Sequence, residues 1–185
     1  MPTSTDTFSL VEGARAGDAR ARSELFDALR ARIVLWAASQ MSPALRARVE
    51  PDDLAQEVLL AIHRDLDAFG GRDRRTFYAW VFRIAENRLR DLADHFGAAK
   101  RREVESPRSA QTTPGTNAAR NETVRRLAEA IARLPDDQRR VVQRRRLEER
   151  EFAEIAAELG RSENAVRIVY CRALKALRSS LGESA

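Results

Sequence analysis

The C-terminal part of the chain carries residues whose types and spacing suit the reading of DNA. Ser162, Asn164, Arg167, Ile168, Cys171, Arg172 and Lys175 lie off the apolar stripe of one helical stretch. Arg167 and Cys171 are one turn apart, as are Ile168 and Arg172, so these side chains share an accessible surface. Arginine can give bidentate hydrogen bonds to guanine in the major groove, or hold a phosphate. Val166, Tyr170, Ala173, Leu177 and Leu181 repeat at three and four and form the stripe that must be buried.

Two further constellations lie upstream. Asp53, Gln56 and Glu57 stand at i, i+3 and i+4, so a helix there presents one acidic, polar face. Such a face suits docking on a basic partner, where it would steer association and fix register; an ordinary solvated helix face fits the same spacing. The segment Phe77 to Asp91 places aromatics beside arginines and an asparagine, directly after Gly70-Gly71. Aromatic rings stack on unpaired bases and arginines track a backbone, as single-strand binding requires. Phe77, Trp80 and Ile84 share one face and suit a core, which leaves the arginines and Asn87 as the better contacts.

Catalytic chemistry finds little support. A single cysteine, Cys171, excludes an internal disulfide and any multi-cysteine zinc site, and His63 and His95 read as helix-surface residues without ligand spacing around them. No nucleophile–base arrangement, phosphate-cradling glycine loop or metal motif is evident, so no catalytic residue, metal or cofactor is expected. The N-terminus lacks a basic start and an apolar stretch, and no apolar run approaches the ~20 residues of a membrane span. A cytoplasmic protein with no membrane insertion is expected.

The elements that must position these groups are helices. Phe152 to Leu159 reads as a short apolar helix; Gly160 can take the left-handed conformation that ends it, and Ser162 can cap the helix from Glu163 to Leu181. That is the grammar of a helix-turn-helix, in which a supporting helix presents a recognition helix to the major groove. Upstream, Asp18 can cap a helix from Ala19 to about Met41, with Leu25, Phe26, Leu29, Ile33 and Trp36 facing inward. Pro51 suits the first turn of a helix running to about Leu66 that buries Leu54, Val58, Ala61 and Ile62. Gly70-Gly71-Arg72-Asp73 breaks the chain before a helix from about Arg75 to Phe96. Gly97 to Asn121, rich in Ser, Thr, Pro and Gly, reads as a flexible linker, followed by helices from Thr123 to Leu134 and from Pro135 to about Leu147.

Composition agrees with an all-helical chain. Hydrophobic residues make up 43% and charged residues 33%, enough for ordinary cores beneath much charged helix surface. The net charge of +5 is uneven: residues 1–95 hold 14 Lys/Arg against 15 Asp/Glu, whereas residues 123–185 hold 14 against 10. The basic excess thus falls in the linker and around the helix-turn-helix.

These segments together resemble the extracytoplasmic-function (ECF) group of the sigma-70 family, the bacterial initiation factors of RNA polymerase. In the N-terminal part the resemblance rests on Asp52-Asp-Leu-Ala-Gln-Glu-Val58, Leu66-Asp-Ala-Phe69 and Phe77 through Asp91. In the C-terminal part it rests on Leu134-Pro-Asp-Asp-Gln-Arg139, Phe152-Ala-Glu-Ile-Ala156 and Ala165-Val-Arg167 through Arg172-Ala-Leu174. It implies an all-α fold of two small helical domains: a region 2-like bundle over 1–97, a flexible linker over 98–121 and a region 4-like helix-turn-helix domain over 122–185.

The resemblance also assigns roles. Asp53, Gln56 and Glu57 would bind the coiled coil of the polymerase β′ clamp. Arg72 and Arg75 in the loop, with Trp80, Asn87, Arg88 and Arg90 on the helix, would melt the −10 element and hold its non-template strand. The helix capped by Ser162 would read the −35 element as duplex through Asn164, Arg167, Ile168, Cys171, Arg172 and Lys175. The implied partners are core RNA polymerase, at its β′ clamp and β flap, and promoter DNA in duplex and single-stranded form, with room left for an anti-sigma factor. Ile168 and Cys171 are apolar or small where polar readers are common in the family it resembles, and two further departures stand out. Glu148-Glu-Arg-Glu151 stands where glycine is frequent, and Arg144-Arg-Arg146 is more basic than the common pattern, which suits phosphates or the flap. The rival reading is a plain helix-turn-helix regulator whose N-terminal helices dimerise; a helical nucleic-acid-modifying enzyme is disfavoured by the scarcity of His and Cys.

Overall fold

The computed structural model describes residues 7–99 and 118–182, and among them it is helical without a strand. Two compact units emerge, residues 7–37 with 41–99, and residues 118–182 with 38–40. Residues 100–117 of the expected linker lie outside the described residues.

In the first unit α1 (Thr7–Arg15) leads through a turn to α2 (Ala19–Gln40), α3 (Pro43–Arg46), α4 (Pro51–Asp65), a single 3₁₀ turn (Leu66–Ala68) and α5 (Arg74–Ala99). The helix starts are set by local chemistry. Asp18 accepts from the backbone N–H groups of Arg20 at 2.8 Å and Ala21 at 3.2 Å, and so caps α2 as expected. Ser42 caps the short α3, which has Pro43 at its first position and was not anticipated from the sequence. Pro51 opens α4, where Asp53 Oδ2 accepts from the Glu50 N–H at 3.3 Å in a capping box. The core is built from Leu25, Leu29, Ile33 and Trp36 of α2, Leu54, Val58, Ala61 and Ile62 of α4, and Phe77, Val81 and Phe82 of α5. Trp36 meets Phe82 with ring centroids 5.7 Å apart, tying α2 to α5.

The second unit comprises α6 (Ala118–Ala132), α7 (Asp136–Val142), a wide π turn (Gln143–Leu147), α8 (Phe152–Leu159) and α9 (Glu163–Leu181). α9 packs against α6, α7 and α8. Its buried side chains Ala173 and Leu177 join Ile131, Leu134 and Val142, while Val166 joins Val141, Ile155 and Ala156.

Three boundaries differ from the sequence expectation. α5 continues to Ala99, and α6 begins at Ala118 rather than Thr123, because alanines at both ends of the expected linker favour helix. The helix expected from Pro135 to Leu147 loses its α register at Gln143, where the turn widens and the Glu148 N–H donates to Gln143 O at 3.0 Å.

Candidate nucleic-acid and partner interfaces

The turn between α8 and α9 is built as its sequence demands. Gly160 adopts φ 61°, ψ 34°, a left-handed conformation that glycine takes without steric cost, and the Arg161 N–H donates to Ala156 O at 2.9 Å to close the end of α8. Ser162 then accepts from the Ala165 N–H at 3.3 Å, so its hydroxyl is engaged in capping α9. Ser162, Asn164, Arg167, Ile168, Cys171, Arg172 and Lys175 are all exposed, while Val166, Ala173 and Leu177 face inward and Tyr170 and Leu181 are half-buried. The helix thus has the two faces its period implied.

Not every exposed cation on it is free. Arg167 is paired with Glu163 one turn earlier, and its guanidinium lies 4.6 Å from the centroid of the Phe152 ring. Among the described residues Arg172 and Lys175 have no ion-pair partner. The arginine triplet before α8 is likewise engaged within its own unit. Arg144 pairs with Glu148 at 2.9 Å and Glu158 at 2.6 Å, Arg145 lies 5.0 Å from the Phe152 centroid, and Arg146 lies 5.9 Å from that of Tyr170. Glu148 is only 5% exposed, so the Arg144 pair at 2.9 Å neutralises a buried carboxylate, with Arg150 4.0 Å away as well. Glu149, in the stretch where family members frequently carry glycine, has φ 57° and is the sole non-glycine with positive φ among the described residues.

On α4 the structure brings Asp53, Gln56 and Glu57 to one exposed face. Asp53 has a second duty there, since its carboxylate closes the capping box. The neighbouring Asp52 is held by Arg30 at 3.1 Å. Leu60, three residues past Glu57 and four past Gln56, is 65% exposed on the same face, a member that the sequence reading missed. Its phase was the available signal: Leu60 falls seven residues after Asp53, out of step with the inward set Leu54, Val58, Ala61 and Ile62.

The loop before α5 is anchored by an aromatic cluster. Phe69 is buried, with its centroid 5.4 Å from Phe77 and 5.1 Å from Trp80. A Cβ on Gly71 would lie 2.2 Å from Phe69 Cζ and 2.7 Å from Thr76 Oγ1, so only glycine lets the ring sit there. Asp73 accepts from the Thr76 N–H at 2.8 Å, and that bond holds its carboxyl below the usual carboxylate range. Arg72 and Arg75 are exposed on this loop and the first turn of α5. Trp80 is half-buried, Arg88 is half-buried beside Asp91 at 4.0 Å, and exposed Arg90 donates to Asn87 Oδ1 at 3.3 Å. Trp80 therefore belongs to the cluster, while Asn87 and Arg90 present a linked polar pair.

Among the described residues no group of His, Cys, Asp and Glu could hold a metal ion, and no helix is long and apolar enough to cross a membrane.

Comparison with known proteins identifies both parts of the chain. Residues 24–101 match Sigma-70 region 2 and residues 124–177 match Sigma-70, region 4. The chain is 30% identical over 177 residues to the ECF RNA polymerase sigma factor SigD of Mycobacterium tuberculosis, spanning 94% of this chain and 82% of that one. It is 32% identical over 179 residues to the ECF RNA polymerase sigma factor SigL of the same species, spanning 94% and 96%. A solved structure of CnrH in complex with the cytosolic domain of CnrY is 27% identical, with a TM-score of 0.46, covering 97% of this chain and 99% of that one. The chain belongs to the ECF group of the sigma-70 family of RNA polymerase sigma factors. It is an alternative sigma factor that directs transcription initiation.

Proposed function

We propose that residues 1–97 dock the chain on core RNA polymerase and open the −10 element, and that residues 122–185 read the −35 element as duplex. Docking uses the α4 face of Asp53, Gln56, Glu57 and Leu60 against the basic coiled coil of the β′ clamp, with acidic groups steering the encounter and Leu60 burying apolar area. Arg72, Arg75, Asn87, Arg88 and Arg90 hold the separated strand through its phosphates, and Trp80 offers its exposed edge to an unpaired base. On α9, Arg172 and Lys175 bind bases or phosphates, while Asn164, Ile168 and Cys171 line the surface between them and the Ser162 cap. Arg167 reaches DNA through its remaining donors or by exchanging Glu163 for a phosphate or base. The chain supplies recognition and strand opening and performs no covalent step; its place of work is the cytoplasm, where polymerase and promoters meet.

One conjunction carries this reading: a single chain matches region 2 and region 4 in order, and the face each part would use is exposed. The test is to mix the purified chain with bacterial core RNA polymerase and follow run-off transcription from the DNA upstream of its own coding sequence. Stable binding with new, chain-dependent transcripts is expected. Duplex binding without polymerase binding would instead return the chain to the plain helix-turn-helix regulators.

A further inference from the structure

Only two large apolar side chains are strongly exposed among the described residues, Leu60 at 65% and Ile168 at 44%. A single exposed isoleucine is ordinary on a protein surface. The position of Ile168 is not, because it lies in the second turn of α9, where a recognition helix meets base edges. Asn164 lies one turn before it and Arg172 one turn after it, and Cys171 is beside it, all exposed. The adjacent cation is committed elsewhere: Arg167 is held by Glu163 and the Phe152 ring. Between an amide and a cation with no ion-pair partner, the centre of the reading face is thus apolar.

The thymine C5-methyl is the apolar feature of the major groove. Isoleucine is branched at Cβ and holds one preferred rotamer in a helix, so its methyl groups stay in a fixed place and little freedom is lost on contact. We infer that Ile168 is a specificity-determining residue that reads the methyl group of a thymine in the −35 element, with Cys171 closing the same apolar patch. This rests on the reading of α9 as the −35 reader. It selects for a T·A pair at that step without any hydrogen bond from the protein. It gives the helix a means of discrimination at that step without a polar side chain.

The test separates this inference from the reading beneath it. The full chain bound to core RNA polymerase selects duplexes from a library randomised across the −35 region. Each thymine of the selected duplex is then replaced in turn by deoxyuridine, which removes the methyl and nothing else. Wild-type binding is expected to weaken about fourfold at one thymine, the worth of one buried methyl group. The I168A variant should bind the parent duplex about as weakly and be indifferent to the swap, while I168V retains part of the discrimination. Unchanged circular dichroism of both variants shows that α9 is intact. Indifference of the wild type to every deoxyuridine, or undiminished discrimination by I168A, overturns the assignment and gives Ile168 to a protein partner or to solvent. A selection that yields no preferred duplex sinks the reading of α9 itself, and the assignment with it.

Discussion

Glu149 shows how much one residue's backbone can carry. At φ 57° it occupies the left-handed region, which costs an L-residue with a Cβ roughly 1–2 kcal/mol. The strain is held by the turn into α8, beside the Arg144–Glu148 pair. Placing glycine and valine at position 149 separates the two effects. Glu149→Gly should be more stable than Glu149→Val by about 1–2 kcal/mol in urea unfolding, because only glycine is at ease there. Equal stabilities would show that the turn rearranges. Asp73 is a second such residue, and it gives a dependence on pH. Its folded carboxyl titrates below the usual range because the Thr76 N–H bonds the charged form. The stability it contributes is therefore complete above an unfolded carboxylate pKa of about 4, and is lost as pH falls through the lower folded value. Asp73→Asn should flatten that part of the acid slope of Tm while leaving Tm near neutral pH little changed, since asparagine also caps helices. An unaltered acid slope would remove Asp73 from the acid response.

At the level of single helices, α4 serves two purposes through neighbouring carboxylates. Asp53 both faces outward and closes the capping box, so its replacement costs about 0.3–1.5 kcal/mol of helix stability whatever it does for binding. Glu57 is exposed and makes no hydrogen bond or ion pair among the described residues, which makes it the cleaner probe. Glu57→Lys should weaken polymerase binding at least tenfold with unchanged helicity and Tm; unchanged affinity would exclude the face from docking. The helix-turn-helix depends on a different kind of support. Arg144 bridges Glu148 and Glu158 and so joins the π turn to α8. Arg144→Ala removes the cation 2.9 Å from the buried Glu148, while Arg150 stays 4.0 Å away. A loss on the order of 2–3 kcal/mol is expected, at the low side of the cost of breaking a buried pair because Arg144 itself is partly exposed. A change below half a kcal/mol in chemical unfolding would mean that solvent screens this network as it does a surface pair.

Over the whole molecule, the proposed division of labour would make promoter recognition a property of the full chain with polymerase. Within that complex Arg172→Ala should cost about 1–3 kcal/mol on the chain's own −35 element and far less on a scrambled one, whereas Lys175→Ala should weaken both alike and lower the salt slope by about one. Equal loss on both sequences for Arg172 would mark it as a phosphate contact. The amino-acid sequence by itself determined the helical class, the start of α2 at Asp18, the turn at Gly160 and Ser162, and the family. Those features are local: a cap, a left-handed glycine and a period of 3.6 are written within a few residues of one another. What the sequence could not decide was which charged and apolar side chains remain available. Arg144 meets Glu158 across 14 residues and Arg30 meets Asp52 across 22. Arg145 and Arg167 converge on one Phe152 ring, and Leu60 and Ile168 are left outside while their neighbours turn inward. Only the packing of one helix on another brings such partners together or leaves them apart, so the free surface of this sigma factor was a decision of the tertiary structure.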